Sequence, residues 1–271
     1  MMNIKRLKNN LLHLNNLRKF IGYEIFQEAI ESNFKFEILD KPISGRVLVL
    51  SPHPDDDVIG CGGSIKLHTD NNEPVKIVYL TDGSGGMPKR SGISTVKDSK
   101  ELAKIREKEA INGAAILGVN DTVFWRYRDS HLVINNSTVK FMGSLLSEYK
   151  PDIIYTPSFL DPHPDHFETC KILVEALKKD NNFKGSIYSY EVWSPIYANR
   201  IVKLEGAVEA KIKAIGAHES QLQSRAYLEA IMGLAKYRAG MYNAGEYAEA
   251  FFACNKKLYL QLFNLLNLKN K

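Results

Sequence analysis

The sequence has no hydrophobic run long enough to cross a bilayer; no stretch reaches the roughly 18 consecutive apolar residues a membrane helix needs. No stable membrane insertion is therefore expected. The first twenty residues, MMNIKRLKNNLLHLNNLRKF, lack both the apolar core and the small-residue cleavage site of a secretory signal. They read as a basic amphipathic helix, suited to packing or to a homo-oligomer contact. Cysteine is scarce. Cys61, Cys170 and Cys254 are far apart, odd in number and form no CxxC pair. That argues against a disulfide framework and for a reducing compartment, so a cytoplasmic location is expected.

Blocks of five or six like charges are also missing. The net charge of +5 comes from lysines scattered along the chain, with no zinc-finger or RNA-binding motif beside them. This describes a solvated surface, and no nucleic-acid partner is expected. Neither an internal repeat nor a low-complexity segment occurs. What remains is ordinary globular composition, 44% hydrophobic and 25% charged, on 271 residues, which suits one large α/β domain.

The chain divides at about residue 40. Residues 1–40 read as an N-terminal helical extension and 41–271 as the main domain. After Pro42 strands and helices alternate. Strands are expected at 46–50, 75–80, 122–127, 153–156 and 186–193. Helices are expected at 58–69, 96–117, 139–149 and 167–179, and the chain reads as largely helical from about 204 onward. The segment 84–96, rich in Gly, Ser, Pro and Lys, reads as a flexible loop placed to act as a lid. Strands such as VLVL and IIYT are apolar on both faces, as in a parallel sheet covered by helices. The expected fold is α/β: a Rossmann-like, mostly parallel sheet flanked by helices, with a helical C-terminal part.

The first strand runs straight into acid. SPHPDDD, residues 51–57, carries His53 and three consecutive aspartates. Carboxylates are costly to bury unless paired or bound to a metal. A second cluster, DPHPDH at 161–166, follows the strand at 153–156 and supplies His163, Asp165 and His166. One HPD tripeptide alone reads as a turn with an aspartate cap, and Asp55–Asp57 could cap the helix that follows. Two such tripeptides, each just past a strand, read better as one site. Ligands of open α/β sheets bind beyond the carboxyl ends of the strands, so both clusters can face one crevice. Two histidines and a carboxylate are a common set for a catalytic zinc, and the flanking prolines stiffen both loops. Iron fits the same His/Asp set.

At these residues the sequence resembles the zinc-dependent N-acetylglucosamine deacetylases, the LmbE-like or PIG-L-like proteins. That family includes deacetylases of GPI-anchor, mycothiol and bacillithiol biosynthesis. Its pattern of PHPDDE, a following GG and a later HPDH appears as Pro52-His53-Pro54-Asp55-Asp56-Asp57, Gly62-Gly63 and His163-Pro164-Asp165-His166. Further agreement lies in Thr81-Asp82-Gly83, in Arg106-Glu107-Lys108-Glu109-Ala110 with Leu117-Gly118, and in Glu191-Val192-Trp193. His218 with Ser220-Gln221, and Ala248-Glu249-Ala250-Phe251, extend it, so that the resemblance spans about 45–252. Asp57 departs from the pattern, which usually has glutamate there; the resemblance gives that position a supporting role rather than a ligand's.

The resemblance implies His53, Asp56 and His166 as ligands of a zinc ion. It implies Asp55 as general base and His163 as the group that stabilises the oxyanion or protonates the leaving amine. Asp165 would orient His163 and favour its charged form. Arg106 would shape the polar substrate site, and Trp193 could stack on a sugar ring. The implied reaction is removal of the acetyl group from an N-acetylglucosamine-type sugar or glycoside by zinc-activated water, with a small molecule or glycan as substrate.

Alternatives from the residues alone are a phosphoesterase on the same metal site and a nucleotide-binding module built on Gly60–Gly63. The second fits poorly, because the GxGxxG register fails and three aspartates would repel a pyrophosphate. Close helix–sheet packing explains those glycines better. His13, His68 and His131 lie outside any ligand spacing and read as surface or packing residues. His218 and Glu249 are open: the first could approach the crevice, the second could neutralise Arg238 or touch substrate.

Overall fold

The computed structural model describes residues 35–86, 98–222 and 226–267. The N-terminal helix, His13 and most of the loop at 84–96 lie outside the described residues. Phe36–Lys256 forms one compact unit. Outside that unit, most of the described residues belong to the helix α8, Lys256–Asn267.

Among the described residues eight strands make one sheet: β1 (Glu37–Leu39), β2 (Val47–Ser51), β3 (Val75–Thr81), β4 (Asp121–Tyr127), β5 (Ile153–Pro157), β6 (Ser186–Tyr190), β7 (Arg200–Lys203) and β8 (Ala248–Asn255). The order is β1-β7-β8-β6-β5-β2-β3-β4. Five strands, β6-β5-β2-β3-β4, are parallel, and β8 runs antiparallel to both its neighbours. Between the strands come α1 (Asp56–Asp70), α2 (Ser99–Ile116), α3 (Asn136–Tyr149), α4 (Pro164–Lys179), α5 (Val208–Gly216), α6 (Glu219–Leu222) and α7 (Tyr227–Tyr242). The expected helix-flanked, mostly parallel sheet is the observed one. Among the described residues no helix is long and apolar enough to cross a membrane.

Strand order follows from burial. All five residues of β2 and of β5 are buried, which only a central parallel strand requires. These two strands pair directly, Val47 opposite Ile153. From β2 the chain steps outward through β3 to β4, then returns to β5 and steps the other way to β6. The β2/β5 junction is therefore the topological switch point, where adjacent loops diverge and leave a crevice.

Local chemistry sets where helices begin. Asp98 caps α2, accepting from the Lys100 and Glu101 amides, so the helix starts three residues later than its hydrophobic pattern suggests. α4 starts at Pro164, with His163 at the N-cap and proline at the first helical position. In α1 the glycines are packing residues. A Cβ on Gly60 would lie 2.2 Å from the Tyr190 ring, and one on Gly63 would lie 2.5 Å from Leu204. Cys61 between them breaks from helical geometry and is wholly buried.

The C-terminal part differs from the largely helical reading. β8, with sequence AEAFFACN, crosses the sheet between β7 and β6 with only its last residue exposed. A short run of alanine and phenylalanine buried on both faces carries no strand periodicity, so pattern alone cannot separate it from a buried helix. β1 falls within the span read as a helical extension; it is a three-residue edge strand with little pattern to detect.

Candidate metal centre and active site

Both HPD loops leave the sheet at the switch point. His53 lies just beyond β2, and Asp56 opens α1. Asp161 and His163 lie beyond β5, and His166 sits in the first turn of α4. Asp129, just past β4, joins them from the third loop.

Three donor atoms converge. His53 Nδ1 is 2.9 Å from Asp56 Oδ2, His166 Nε2 is 3.1 Å from the same oxygen, and the two ring nitrogens are 3.3 Å apart. Donors about 2.0–2.1 Å from a tetrahedral zinc lie about 3.3 Å from one another. The three side chains are buried, and the His53 amide fixes Asp56 Oδ2 at 2.8 Å. The other nitrogen of each ring faces a carboxylate. His53 Nε2 is 3.2 Å from Asp165 Oδ2, and His166 Nδ1 is 3.1 Å from Asp161 Oδ1. Metal-ligating histidines are characteristically backed in this way, which sets the tautomer and raises ligand basicity. The residues present thus fit a divalent ion. His163 also converges with His53 and His166, and Asp129 and Asp165 with His53. The triad with Asp56 is distinguished by a single carboxylate oxygen that lies 2.9 Å from one ring nitrogen and 3.1 Å from the other.

The backing carboxylates are themselves held. Asp165 accepts from the Ser130 amide at 2.7 Å and the Leu132 amide at 3.2 Å. Asp161 accepts from the His163 amide at 3.0 Å and the Trp193 amide at 2.9 Å. Burial opposes charge on His53, yet Asp56, Asp129 and Asp165 hold its imidazole well above the usual range. Burial likewise opposes charge on His166, but Asp56 and Asp161 push it up to about 9. Asp56, despite burial, is held well below the usual carboxylate range by His166 and His53. The cluster strongly favours positive charge at its centre.

The three consecutive aspartates have three different surroundings. Asp56 faces the histidines. Asp55 Oδ1 accepts from Arg106 Nη2 at 2.7 Å, and no other group among the described residues donates to its carboxylate. Asp57 is fully buried between Tyr79, whose hydroxyl donates at 2.9 Å, and Ser51. Burial pushes its carboxyl up to about 7. It touches neither histidine, in keeping with a supporting position. Asp55 occupies the N-cap of α1 without making a side-chain cap, so helix capping does not explain it.

Three expectations are corrected. The Asp165 carboxylate faces His53 and not His163; only its amide meets the His163 ring, donating to Nδ1 at 3.2 Å. The helix geometry is the reason, because His163 at the N-cap takes up the Asp165 N–H while the carboxylate turns toward the β4 loop. Nor does His163 favour its charged form: burial, with His53 and His166 nearby, lowers its pKa. Arg106 does not line an open subsite. It is buried, and besides Asp55 it bonds the Gly83 carbonyl at 2.9 Å. Trp193, by contrast, is 43% exposed, with its ring stacked 6.5 Å from that of His163.

Asp129 and Asp161 were not singled out from sequence. Asp161 is the first letter of DPHPDH, and Asp129 sits past a strand end on the same sheet edge; position was the available signal in both cases. Asp129 Oδ1 lies 3.6 Å from His53 Nε2, and its Oδ2 accepts from the Gly85 amide at 3.1 Å.

The remaining candidates are structural. Gly63 and Ser64 donate their amides to Glu249 at 2.8 Å, so the glycine segment cradles a carboxylate of its own chain and offers no phosphate nest. Glu249 pairs with Lys211 at 2.6 Å, while Arg238 pairs with Glu191. His68 is buried against Glu73 and Tyr155. His131 is exposed and bonds the Asp129 carbonyl. His218 is buried, and neither ring nitrogen has a hydrogen-bond partner among the described residues.

Residues 48–177 match the PIG-L family, described as GlcNAc-PI de-N-acetylase. A diacetylchitobiose deacetylase of Thermococcus kodakarensis is 29% identical over 220 residues, covering 75% of this chain and 80% of its own. A probable N-acetyl-alpha-D-glucosaminyl L-malate deacetylase of Bacillus anthracis is 29% identical over 192 residues, covering 66% and 82%. Among solved structures, the N,N'-diacetylchitobiose deacetylase of Pyrococcus horikoshii, complexed with an inhibitor, superimposes with a TM-score of 0.68. It shares 26% identity and covers 91% of this chain and 93% of its own.

Proposed function

We propose that this chain, whose residues 48–177 belong to the PIG-L family, is a metal-dependent hydrolase that removes the acetyl group from an N-acetylglucosamine-type sugar or glycoside. The observation that carries this reading is the convergence of His53 Nδ1, Asp56 Oδ2 and His166 Nε2 to within 2.9–3.3 Å of one another at the switch point. These three residues would hold the metal, with zinc the first candidate and iron admitted by the same donors. A zinc ion held there would lower the pKa of water and polarise an amide carbonyl.

The chain's own residues account for the rest. Asp55, next in sequence to a ligand, has one oxygen anchored by Arg106 and the other available to take a proton from the attacking water. Arg106 acts through Asp55 as a positioning residue. His163 Nδ1 accepts a backbone N–H, so its own hydrogen sits on Nε2. From there it donates a hydrogen bond to the oxyanion as charge develops, while the proton that Asp55 takes from the water passes on to the departing nitrogen. Asp165 and Asp161 orient the two ligand rings. Asp129 adds negative charge beside His53. Trp193 offers an exposed aromatic face next to His163, suited to a sugar ring. All three cysteines are free and buried, which supports a reducing compartment such as the cytoplasm.

The test is acetate release from a panel of N-acetylglucosaminides, zinc-loaded wild type beside zinc-loaded Asp55→Ala. Release by the wild type alone is expected. Equal release by both would move the base elsewhere, and release by neither with metal bound would refute a deacetylase on these substrates.

A further inference from the structure

A cavity of about 550 Å³ has Trp193 in its wall, the residue whose ring lies 6.5 Å from that of His163. Its walls come from α1, the segment after β6, and α7: Ile59, Trp193, Tyr227, Ala230, Ile231 and Leu234. Trp193 thus connects this cavity to the candidate active site, with one face of its ring toward His163. The volume is that of a drug-sized ligand site.

Four charged residues border the cavity or lie behind its wall, and each is committed elsewhere. Lys211 Nζ bonds Glu249 at 2.6 Å and the Ile59 carbonyl at 2.8 Å. Glu249 accepts in addition from the Gly63 and Ser64 amides and from the Ser64 hydroxyl. Glu191 pairs with Arg238 and accepts the Ile196 amide at 2.8 Å, and Arg238 donates to the Ile196 carbonyl at 2.8 Å. The charges thus cancel in pairs, and each group already has two or more hydrogen-bond partners within the protein. A polar sugar or an ionised group would be desolvated here with few charged partners to receive it. Apolar surface would be removed from water against aliphatic and aromatic walls.

From this we infer that the cavity is a subsite for an apolar aglycone: the substrate is an N-acetylglucosaminide whose non-sugar part is an aliphatic chain or similarly uncharged hydrocarbon group. The inference rests on the deacetylase reading of the metal centre and adds the substrate class. In this arrangement the acetamide lies at the metal, the sugar ring against Trp193, and the aglycone between α1 and α7. No covalent step beyond amide hydrolysis is involved.

The experiment compares methyl, butyl and octyl 2-acetamido-2-deoxyglucopyranosides with the zinc-loaded full chain. From methyl to octyl, kcat/KM is expected to rise by about tenfold or more, mainly through KM, as successive methylenes are buried. In Ala230→Trp, which fills the cavity from an exposed position on α7, the octyl-to-methyl ratio is expected to fall toward one. Hydrolysis of all three glycosides by wild type with no dependence on chain length would overturn the subsite and leave the deacetylase reading intact. Calorimetric binding of the octyl and methyl glycosides gives a readout independent of turnover. Tighter octyl binding that Ala230→Trp removes supports the subsite even where no acetate is released; equal binding of the two overturns it.

Discussion

The two HPD loops share a tripeptide and differ in what they do with it. In the β2 loop the tripeptide precedes the helix: α1 starts only at Asp56, and His53 turns back to meet that residue's carboxylate through Nδ1. In the β5 loop the tripeptide is the start of the helix. His163 is the N-cap, its Nδ1 is taken by the Asp165 amide, and the proposed ligand is His166, one turn in. The same three letters thus give a histidine that faces a carboxylate in one loop, the proposed ligand, and an N-cap histidine in the other, the proposed donor to the oxyanion. What separates them is where the helix begins, because that decides which ring nitrogen the backbone consumes.

His218 supplies a third histidine for the comparison. It is buried like His166 but is paired with no carboxylate among the described residues, and burial pushes it down to about 4, whereas Asp56 and Asp161 push His166 up to about 9. Burial is common to both; the paired carboxylates explain the difference in direction.

The largest effect is expected from removing a ligand. His166→Ala should abolish metal binding and lower deacetylation by about a thousandfold or more, since the ion supplies several kcal/mol of transition-state stabilisation. Metal analysis and acetate release check both halves. Next comes the other histidine. His163→Ala should keep its metal and lose about 10²–10³ in kcat, as removal of one oxyanion donor does. A metal-free His163→Ala protein would erase the distinction between the loops.

Smaller changes are expected behind the ligands. Asp165→Asn should weaken metal affinity by about 10–100-fold through the His53 ring, and Asp161→Asn by a similar factor through His166. Competition with a chromophoric chelator measures each. If Asp165→Asn changed turnover but not affinity, Asp165 would be acting on His163 after all.

The smallest effect is on stability. The folded pKa of His218, about 4, lies below its ordinary 6.5, so the unfolded chain takes up this proton first. Its contribution is fully present above about pH 6.5 and is lost as pH falls toward 4, by about 3 kcal/mol at most. His218→Leu should flatten that part of the denaturation-versus-pH curve, read by urea melts at pH 7 and 4.5.

Most of the sheet was legible because its parallel strands are short apolar runs ending at turns, and both motifs stand at those ends. The site was legible to the level of residue type. His53, Asp56 and His166 can be chosen from sequence by resemblance, and the structure brings them together. What sequence could not give was direction. Whether Asp165 turns toward His53 or His163 depends on which side of a helix N-terminus its carboxylate leaves. Whether Arg106 lines a subsite or stands behind Asp55 depends on α2 packing under the Gly83 turn. Asp129 carries no motif; only the pairing of β4 with β3 brings it within reach of His53. β8 was missed for a related reason, since a strand buried on both faces loses the alternation that would reveal it.

The central claim is that of the adjacent acids Asp55 and Asp56, only the second holds metal. Metal content per chain, measured on zinc-reconstituted wild type, Asp55→Ala and Asp56→Ala, tests it most directly. About one ion per chain is expected in wild type and in Asp55→Ala, and nearly none in Asp56→Ala. Loss of the ion from a folded Asp55→Ala protein, or its retention in Asp56→Ala, would contradict it.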